Sequence, residues 1–171
     1  SLSDSFKYSG DEVPDMYSTA ISQTGTIVVS VLDSSVSSSV VKLYTSDDAA
    51  ASFSEFVFPP QQKQITSSRV FASRNGGFIL FISLGEGKLS PTESSFSLLY
   101  SESSDGKKWN QFSVFKPSDS ISNAFSPFFV QIGMNDFVFF EGWAGKDSTS
   151  SLIYAASRSA SSSSWSAPFV V

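Results

Sequence analysis

The sequence contains neither cysteine nor histidine. Without cysteine, disulfide bonds and thiolate metal sites are impossible. Without histidine, His-based catalytic triads, His–metal sites and proton transfer through imidazole are excluded. We therefore expect this chain to carry no metal ion and no other cofactor.

Basic residues are also few, with 11 Lys and Arg against 16 Asp and Glu, which gives a net charge of −5. Such a surface repels phosphate backbones, so nucleic acid is not an expected partner. No apolar run approaches the roughly 20 residues that cross a bilayer, so no membrane span is expected.

Nothing in the sequence fixes the compartment. The first ten residues, SLSDSFKYSG, lack the basic and apolar regions of a signal peptide, which leaves a cytosolic chain, a chain whose leader has been removed, or a fragment as alternatives. The serine runs at 34–35, 37–39 and 161–164 are typical of solvated loops or of an extracellular, O-glycosylated surface. Localisation therefore stays open, with an extracellular or cell-surface position among the alternatives.

The chain repeats one polar turn closed by a large aromatic ring. Counting 56 residues back and forward from Ser101 reaches Thr45 and Ser157, each in a similar turn. The closing aromatics keep the same spacing, and a short apolar strand precedes each turn. These aromatics are Phe53, Trp109 and Trp165, and we expect all three to be largely buried.

Each repeat has the pattern of four short strands, over about 15–59, 68–117 and 126–171, with no sustained helical period. A threefold unit of this kind predicts an all-β fold of β-propeller blades, because one four-stranded blade cannot bury both faces and must stack on neighbours. Sandwich and barrel folds do not predict a turn at a fixed spacing. Known propellers have about four or more blades. Residues 1–171 are therefore expected to form one propeller segment, which further blades of a longer chain, a second copy or partner blades complete.

The three turns resemble a known sequence marker. The first, SDDAAASF at 46–53, resembles the Asp box of sialidases with Ala for Gly and Phe for Trp. The second, SSDGKKW at 103–109, resembles the looser form of carbohydrate-active propellers, and the third, SRSASSSSW at 157–165, lacks the Asp and Gly. The resemblance implies that these turns are fold markers on the blade periphery and not catalytic sites.

Two families share this resemblance. The six-bladed sialidase and trans-sialidase group is suggested by residues 40–53 and 97–109. The five-bladed furanosidase group, with arabinanases, β-xylosidases and invertases, is suggested by SPFFVQIGMNDFVFFEGW at 126–143 and the turn that follows. Both alternatives remain open.

The sialidase resemblance implies three arginines that clamp a carboxylate. The chain has only three arginines. Arg158 lies within a peripheral turn and Arg74 beside a hairpin turn, so both are expected at the surface. Arg69, which begins the first strand of the second unit, remains as a ligand-binding candidate. One arginine does not make the clamp.

The furanosidase resemblance implies carboxylates at the starts of successive inner strands, since glycoside hydrolysis needs two carboxylates with separated pKa values. Asp15 occupies the first such position and is a candidate base and ligand contact. The other two positions hold Ser68–Arg69 and Ser126, so its partner carboxylates are missing. Glu86 and Glu141 follow second strands; of these, Glu141 is the weak catalytic and ligand-binding candidate.

Trp143 stands beside Glu141 and near Asp147. An aromatic ring next to carboxylates commonly stacks on and hydrogen-bonds a sugar, so Trp143 is a ligand-binding candidate. The alternative is a ring packed between blades.

The sequence thus favours a non-catalytic or decayed glycosidase-like propeller segment that binds a glycan or a protein. One alternative is part of an active glycoside hydrolase of the sialidase or the arabinanase and xylosidase type, with the missing residues elsewhere. The other is a structural propeller within a larger assembly.

Overall fold

A computed structural model describes residues 17–33, 39–61, 63–85, 96–115, 121–144 and 150–171. Three residues named above, Asp15, Glu86 and Asp147, lie outside the described residues.

The described residues form three four-stranded antiparallel sheets, each built from four consecutive strands. The first contains β1 (Tyr17–Ile21), β2 (Ile27–Asp33), β3 (Val40–Ser46) and β4 (Ser54–Val57). The second contains β5 (Gln64–Ala72), β6 (Phe78–Gly85), β7 (Ser97–Ser103) and β8 (Ser113–Phe115). The third contains β9 (Ile121–Ile132), β10 (Asn135–Ala144), β11 (Leu152–Ser159) and β12 (Phe169–Val170). The predicted all-β fold of propeller blades is confirmed.

Hydrophobic patterning explains the strands. In β2, buried Val28, Ser30 and Leu32 alternate with half-buried residues, the period of a strand with one covered face. All eight residues of β6 are buried, as expected for a second strand covered on both faces. A short 3-10 turn, Arg74–Gly76, joins β5 to β6.

The chain divides into two compact units. The first comprises the residues up to Ile82 together with Tyr100–Phe112, and the second comprises Ser83–Leu99 with Ser113–Val171. Within the first unit, β5 packs on the first sheet, since the Ser18 hydroxyl accepts the Val70 N–H at 3.1 Å and the buried Ser68 and Ser30 hydroxyls lie 3.2 Å apart. That residues 1–171 form one propeller segment stays a prediction.

The 56-residue spacing is visible in the hydrogen bonds. Each turn is bridged at its base by a serine or threonine and a residue nine positions later, with donor–acceptor distances of 3.3, 2.7 and 2.7 Å. These pairs are Thr45–Ser54, Ser101–Asn110 and Ser157–Ser166. The repeat inferred from the sequence therefore recurs as contacts at the same spacing, although the donors differ: the Ser54 and Ser101 hydroxyls in the first two turns and the Ser166 N–H in the third.

Phe53, Trp109 and Trp165 are half-buried, and the Trp109 and Trp165 rings pack edge-on against Phe58 and Phe115. One expectation needs correction. The first strand of the third unit begins at Ile121 and not near residue 128. There β9 continues through Asn123 and Ser126 in the left-handed region, with φ of 62° and 52°, and its pairing with β10 shifts register twice.

Candidate functional site

Arg69 does not begin the first strand of the second unit as expected, because β5 starts at Gln64; it lies within that strand with an exposed side chain. Its neighbours Ser68 and Val70 contact the first sheet, so Arg69 occupies the opposite face of the strand. Among the described residues, nothing hydrogen-bonds or ion-pairs with its guanidinium. It remains a candidate for an anionic ligand in the first compact unit.

Glu141 and Trp143 lie two residues apart on β10, in the second compact unit. Glu141 is half-buried opposite Phe125, with a register shift on each side of it. Bulges of this kind re-aim side chains and are common beside active sites. Trp143 is only 8% exposed, and its ring centroid lies 5.2 Å from that of Phe125. A sugar would reach its face only if the ring were uncovered, so its role as a stacking platform stays a prediction.

Arg158 is not at the surface as expected. Its Nε lies 3.1 Å from Asp136 Oδ2, and the two side chains are 9% and 7% exposed. The Gln131 amide donates to Asp136 Oδ1 at 2.7 Å, and the Arg158 guanidinium lies 4.5 Å from the centre of the Trp165 ring. The sequence places Arg158 in a polar turn, but cross-strand pairing with Asp136 turns it inward.

The first compact unit contains a cleft of about 520 Å³, which we call the turn cleft. It lies between the 3-10 turn after β5 and the second polar turn. It is lined by Ser73, Arg74, Gly77, Phe78, Glu102, Ser103, Ser104, Lys108, Trp109 and Asn110. Its volume falls in the range of small-molecule sites, and three of its side chains are ionisable.

The 3-10 turn forms one wall because its backbone is tied at both ends. The Ser73 N–H donates to the Gly77 carbonyl at 2.7 Å, and the Gly77 N–H donates to the Arg74 carbonyl at 3.2 Å. A Cβ at residue 77 would lie 2.9 Å from the Ser103 carbonyl oxygen. Glycine therefore permits the close approach that brings Arg74 to the second turn.

The second turn forms the other wall through side chains that accept backbone N–H groups. Ser103 Oγ accepts from Gly106 at 2.8 Å, and Asp105 Oδ1 accepts from Lys107 at 2.8 Å and Lys108 at 2.9 Å. These backbone hydrogen bonds lower the pKa of Asp105. Gly106 adopts φ of 75°, where a side chain is unfavourable. The turn thereby fixes the backbone of Lys108 at the edge of the cleft.

The Trp109 ring is held in a defined orientation. Its Nε1 donates to the Gly106 carbonyl at 2.8 Å, and its ring centroid lies 6.1 Å from that of Phe58 in an edge-on arrangement. The ring therefore packs against Phe58, and Trp109, which is half-buried, also lines the turn cleft.

A second, smaller cleft of about 300 Å³ adjoins the first at Ser104, and we call it the side cleft. Its lining is rich in hydroxyl and carboxylate oxygens and comprises Thr24, Thr26, Asp47, Gly76, Ser104, Asp105 and Lys107. The Lys107 ammonium is held by Asp47 Oδ2 at 2.6 Å.

Within the described ranges, no group of three or more acidic side chains is placed to hold a metal ion, and no helix is long and apolar enough to cross a bilayer. Reasoning from the sequence treated the second turn as structural and missed the turn cleft. Its walls are about thirty residues apart in sequence, and the adjacent Lys108–Trp109 pair is the one local signal that pointed to it.

Comparison with known proteins gives a fold and no family. No family model matches the chain, and no curated protein matches it in sequence. An α-L-arabinofuranosidase from Fusarium graminearum, solved with an iminosugar inhibitor, gives a TM-score of 0.64 at 12% identity, over 90% of this chain and 47% of that one. An α-L-arabinanase from Penicillium chrysogenum, solved with arabinobiose, gives 0.59 at 12% identity, over 90% and 48%. The endosialidase of phage phi92 gives 0.56 at 15% identity, over 90% and 26%.

The chain therefore has the fold of glycosidase-type and sialidase-type β-propellers. It spans about half the length, or less, of the solved structures that it matches.

Proposed function

We propose that this chain is a glycosidase-like propeller segment that binds a glycan in the turn cleft without cleaving it. The observation that carries the proposal is the half-buried Trp109 ring, fixed beside Arg74, Glu102 and Lys108 in a cleft of about 520 Å³. Sugars are bound by an aromatic face together with convergent polar groups, and the turn cleft combines both.

Two further facts support a glycan over a protein partner. Structures that share the fold include an arabinofuranosidase, an arabinanase and an endosialidase, two of them solved with a saccharide or a sugar-like inhibitor. The turn cleft is also concave, which suits a small ring better than a flat protein surface. We further propose that the first two turns are Asp boxes, because Ser46 and Asp48, like Ser103 and Asp105, accept backbone N–H groups.

The small number of carboxylates in the turn cleft favours binding over hydrolysis. Glycoside cleavage needs two carboxyl groups facing each other across one bond, at roughly 5–9.5 Å. Glu102 is the one carboxylate among the described residues that line the turn cleft. Cleavage there would therefore need a second carboxyl group from elsewhere.

The alternative is that the chain is part of an active glycoside hydrolase, and its coverage of about half of the matched structures favours that alternative. In that case Asp15 and Glu141 would be the acids to test, with Arg69 and Trp143 as ligand contacts. The predicted partners of a propeller segment, further blades of the same chain or a second copy, belong to the same proposal.

Binding is tested with immobilised arabinan, xylan, polysialic acid and polygalacturonate. We expect retention of the purified chain on at least one of them, and a loss of affinity of about tenfold or more in Arg74→Ala and Lys108→Ala. Arg69→Ala, at an exposed arginine outside the turn cleft, tests the competing candidate site on β5. Loss in Arg69→Ala with normal binding by Arg74→Ala would move the site to β5, and no binding to any glycan would contradict the proposal.

Hydrolysis is tested with aryl glycosides of sialic acid, arabinose and xylose. We expect no release of the aryl group. Turnover that disappears in Asp15→Asn or Glu141→Gln would establish an enzyme and overturn the non-catalytic part of the proposal.

A further inference from the structure

We propose that two copies of this chain pair, with an exposed apolar face of the first sheet in one copy packed on an exposed apolar face of the third sheet in the other. Each copy carries both faces, so the pair makes this contact twice. The inference goes beyond glycan binding, because both faces lie outside the turn cleft. Among the partners that the sequence leaves open, it commits to a second copy and to the surfaces that the pair uses.

Exposed apolar side chains are distributed unevenly over the three sheets. Among the described residues, twelve large hydrophobic side chains are exposed: three in the first sheet, one in the second, and eight in the third sheet, its first turn and the residue that follows it. In the second sheet, all eight residues of β6 are buried. Soluble monomers rarely expose large contiguous apolar patches, so the first and third sheets are the candidates for an interface.

The exposed residues of the third sheet share one face. Cross-strand pairing places Phe128, Phe139, Ala155 and Phe169 in one row across all four strands. Alternation along β9 and β11 adds two isoleucines to the same side of the sheet. Phe128, Phe169 and both isoleucines are more than half exposed. This third-sheet face is defined by Phe128, Ile132, Phe139, Ile153, Ala155 and Phe169.

The opposite face of the third sheet is the covered one. Val138, Phe140 and Tyr154 alternate with the residues of the third-sheet face, and each is at most 5% exposed. The Phe140 ring centroid lies 5.5 Å from that of Phe115 in an edge-on arrangement. The sheet therefore has one face that the chain itself buries and one apolar face that remains available to a partner.

The first sheet carries a face of the same kind. Tyr17, Val31, Lys42 and Val57 lie in one row across its four strands, and Ile21 lies on the same side. Tyr17, Ile21 and Val57 are 71%, 61% and 48% exposed. We call these five residues the first-sheet face. The other side of the sheet, which includes the buried Ser30, is the one that β5 covers.

The charge on the first-sheet face does not oppose an apolar contact. The Lys42 ammonium lies 2.7 Å from Asp33 Oδ2, so its charge is compensated within the same sheet. Burying a charge is costly when it has no counter-charge, and here the ion pair already supplies one. The first-sheet face can therefore pack on the aromatic row of the third sheet.

A second copy fits these faces in kind and in length. The packing of β5 on the first sheet shows that a sheet of this chain accepts a strand of another sheet on its face. The first-sheet face of a second copy is itself such a surface. The chain spans about half the length of the matched arabinofuranosidase and arabinanase, so two copies supply about as much chain as one of those structures.

The area is sufficient for a stable pair. Four strands about 4.8 Å apart and about five residues long cover roughly 300 Å² on one face. Two copies that make the contact twice bury four such faces, or roughly 1,200 Å², which reaches the size of stable, specific interfaces. A single contact would bury only half of this area, which favours a closed pair over an open chain of copies.

The test measures the mass of the purified chain in solution by sedimentation equilibrium and by light scattering after size exclusion. We expect twice the mass of one chain at micromolar concentration. Tyr17→Asp and Ile153→Asp each place a carboxylate in both contacts, so each should weaken the pair at least tenfold. Val114→Asp is the matched control, since Val114 is an exposed apolar residue on β8, outside both faces. Circular dichroism checks that each variant is folded.

A mixture of the two variants tests which faces meet. When Tyr17→Asp and Ile153→Asp chains are combined, one of the two contacts joins an unaltered first-sheet face to an unaltered third-sheet face. The mixture should therefore pair at least tenfold more tightly than either variant alone.

The outcomes bear on the pair and leave glycan binding to its own test. A chain that stays monomeric at micromolar concentration overturns the second copy as the partner. Assemblies larger than two copies overturn the closed pair. Dissociation by Ile153→Asp but not by Tyr17→Asp would mean that the third-sheet face packs on itself, and a mixture that pairs no better than the single variants likewise overturns the assigned contact. Retention on immobilised glycans is measured separately, so its loss or persistence decides only the proposed function.

Discussion

The second and third polar turns occupy equivalent repeat positions but are held together by different chemistry. In the second, Ser103 and Asp105 accept backbone N–H groups, and Gly106 supplies the left-handed residue. In the third, which lacks the Asp and Gly, Arg158 stacks on the Trp165 ring and pairs with Asp136.

The difference shows that equivalent repeat positions are stabilised in different ways, since no described residue of the third turn is left-handed and its serine hydroxyls accept backbone N–H groups. Because Ser103 and Asp105 accept backbone N–H groups, Asp105, Lys107 and Lys108 stay exposed, where they line the two clefts. In the third turn the Arg158 side chain points inward and forms an ion pair with Asp136 on the neighbouring strand of the same sheet. The second turn therefore exposes charged groups, whereas the third turn holds its arginine within the sheet, and the following predictions test this contrast.

The largest effect is expected in the third turn. Replacing Arg158 with Ala leaves the buried Asp136 carboxylate without its cation and uncovers the Trp165 ring. Removing one partner of a buried ion pair costs about 3–5 kcal/mol. Urea denaturation of Arg158→Ala measures this cost, and Arg69→Ala, an exposed arginine, should change the free energy of unfolding by less than about 0.5 kcal/mol. Equal stability of the two variants would show that the Arg158–Asp136 ion pair does not stabilise the third turn.

In the second turn the sharpest change is at Gly106. A Cβ there would lie 2.7 Å from Val28 Cγ2 and 3.1 Å from Thr45 Cγ2, in addition to the cost of the left-handed backbone. We expect Gly106→Ala to lower the free energy of unfolding by about 2–4 kcal/mol. Gly25 is the matched control, since it has φ of 86° and nothing within 4 Å, so Gly25→Ala should cost only about 1–2 kcal/mol. A Gly106→Ala chain no less stable than Gly25→Ala would contradict the packing seen around this turn.

The closing aromatic of the second turn comes next. A fully buried tryptophan costs about 3–5 kcal/mol when cut to alanine. Because Trp109 is half-buried, we expect Trp109→Ala to cost about 2–3 kcal/mol. Trp109→Phe keeps most of the ring but loses the hydrogen bond to the Gly106 carbonyl, so it should cost about 1 kcal/mol. A Trp109→Ala variant with an unchanged denaturation midpoint would show that the ring does not stabilise the second turn.

The repeat was predictable because turn chemistry and strand hydrophobicity are local. Strands β2, β3, β6 and β11 lie where their apolar runs indicate, and the bridged pairs keep the predicted 56-residue spacing. The start of β9 was missed because Asn123 and Ser126 adopt left-handed conformations that only the surrounding structure enforces.

The sites were harder to predict because they depend on contacts distant in sequence. Arg158 was assigned to the surface, since its partner Asp136 lies 22 residues away on a neighbouring strand. The turn cleft was missed for the same reason, because β6 and β7 separate the 3-10 turn from the second turn in the sequence. For Asp15, Arg69, Glu141 and Trp143, the assigned roles stay predictions.

The smallest expected effect is the pH dependence of the second turn. Hydrogen bonds from the Lys108 and Lys107 N–H groups lower the pKa of Asp105 below its model-peptide value of 3.8, so its carboxylate is stabilised in the folded state. A group whose folded pKa is lowered contributes stability that is fully present above the unfolded pKa and is lost as pH falls through the folded pKa. Asp105→Asn keeps the side-chain oxygen but removes the charge, so its stability deficit relative to the original chain should be constant from pH 7 to about pH 5 and should shrink below about pH 4. Urea midpoints of both proteins between pH 7 and pH 3 measure this, and because the side chain is exposed, the deficit will be small and weaker in high salt. A deficit that grows as pH falls would mean that the Asp105 charge opposes folding, and the second turn would then owe its shape to Ser103 and Gly106 alone.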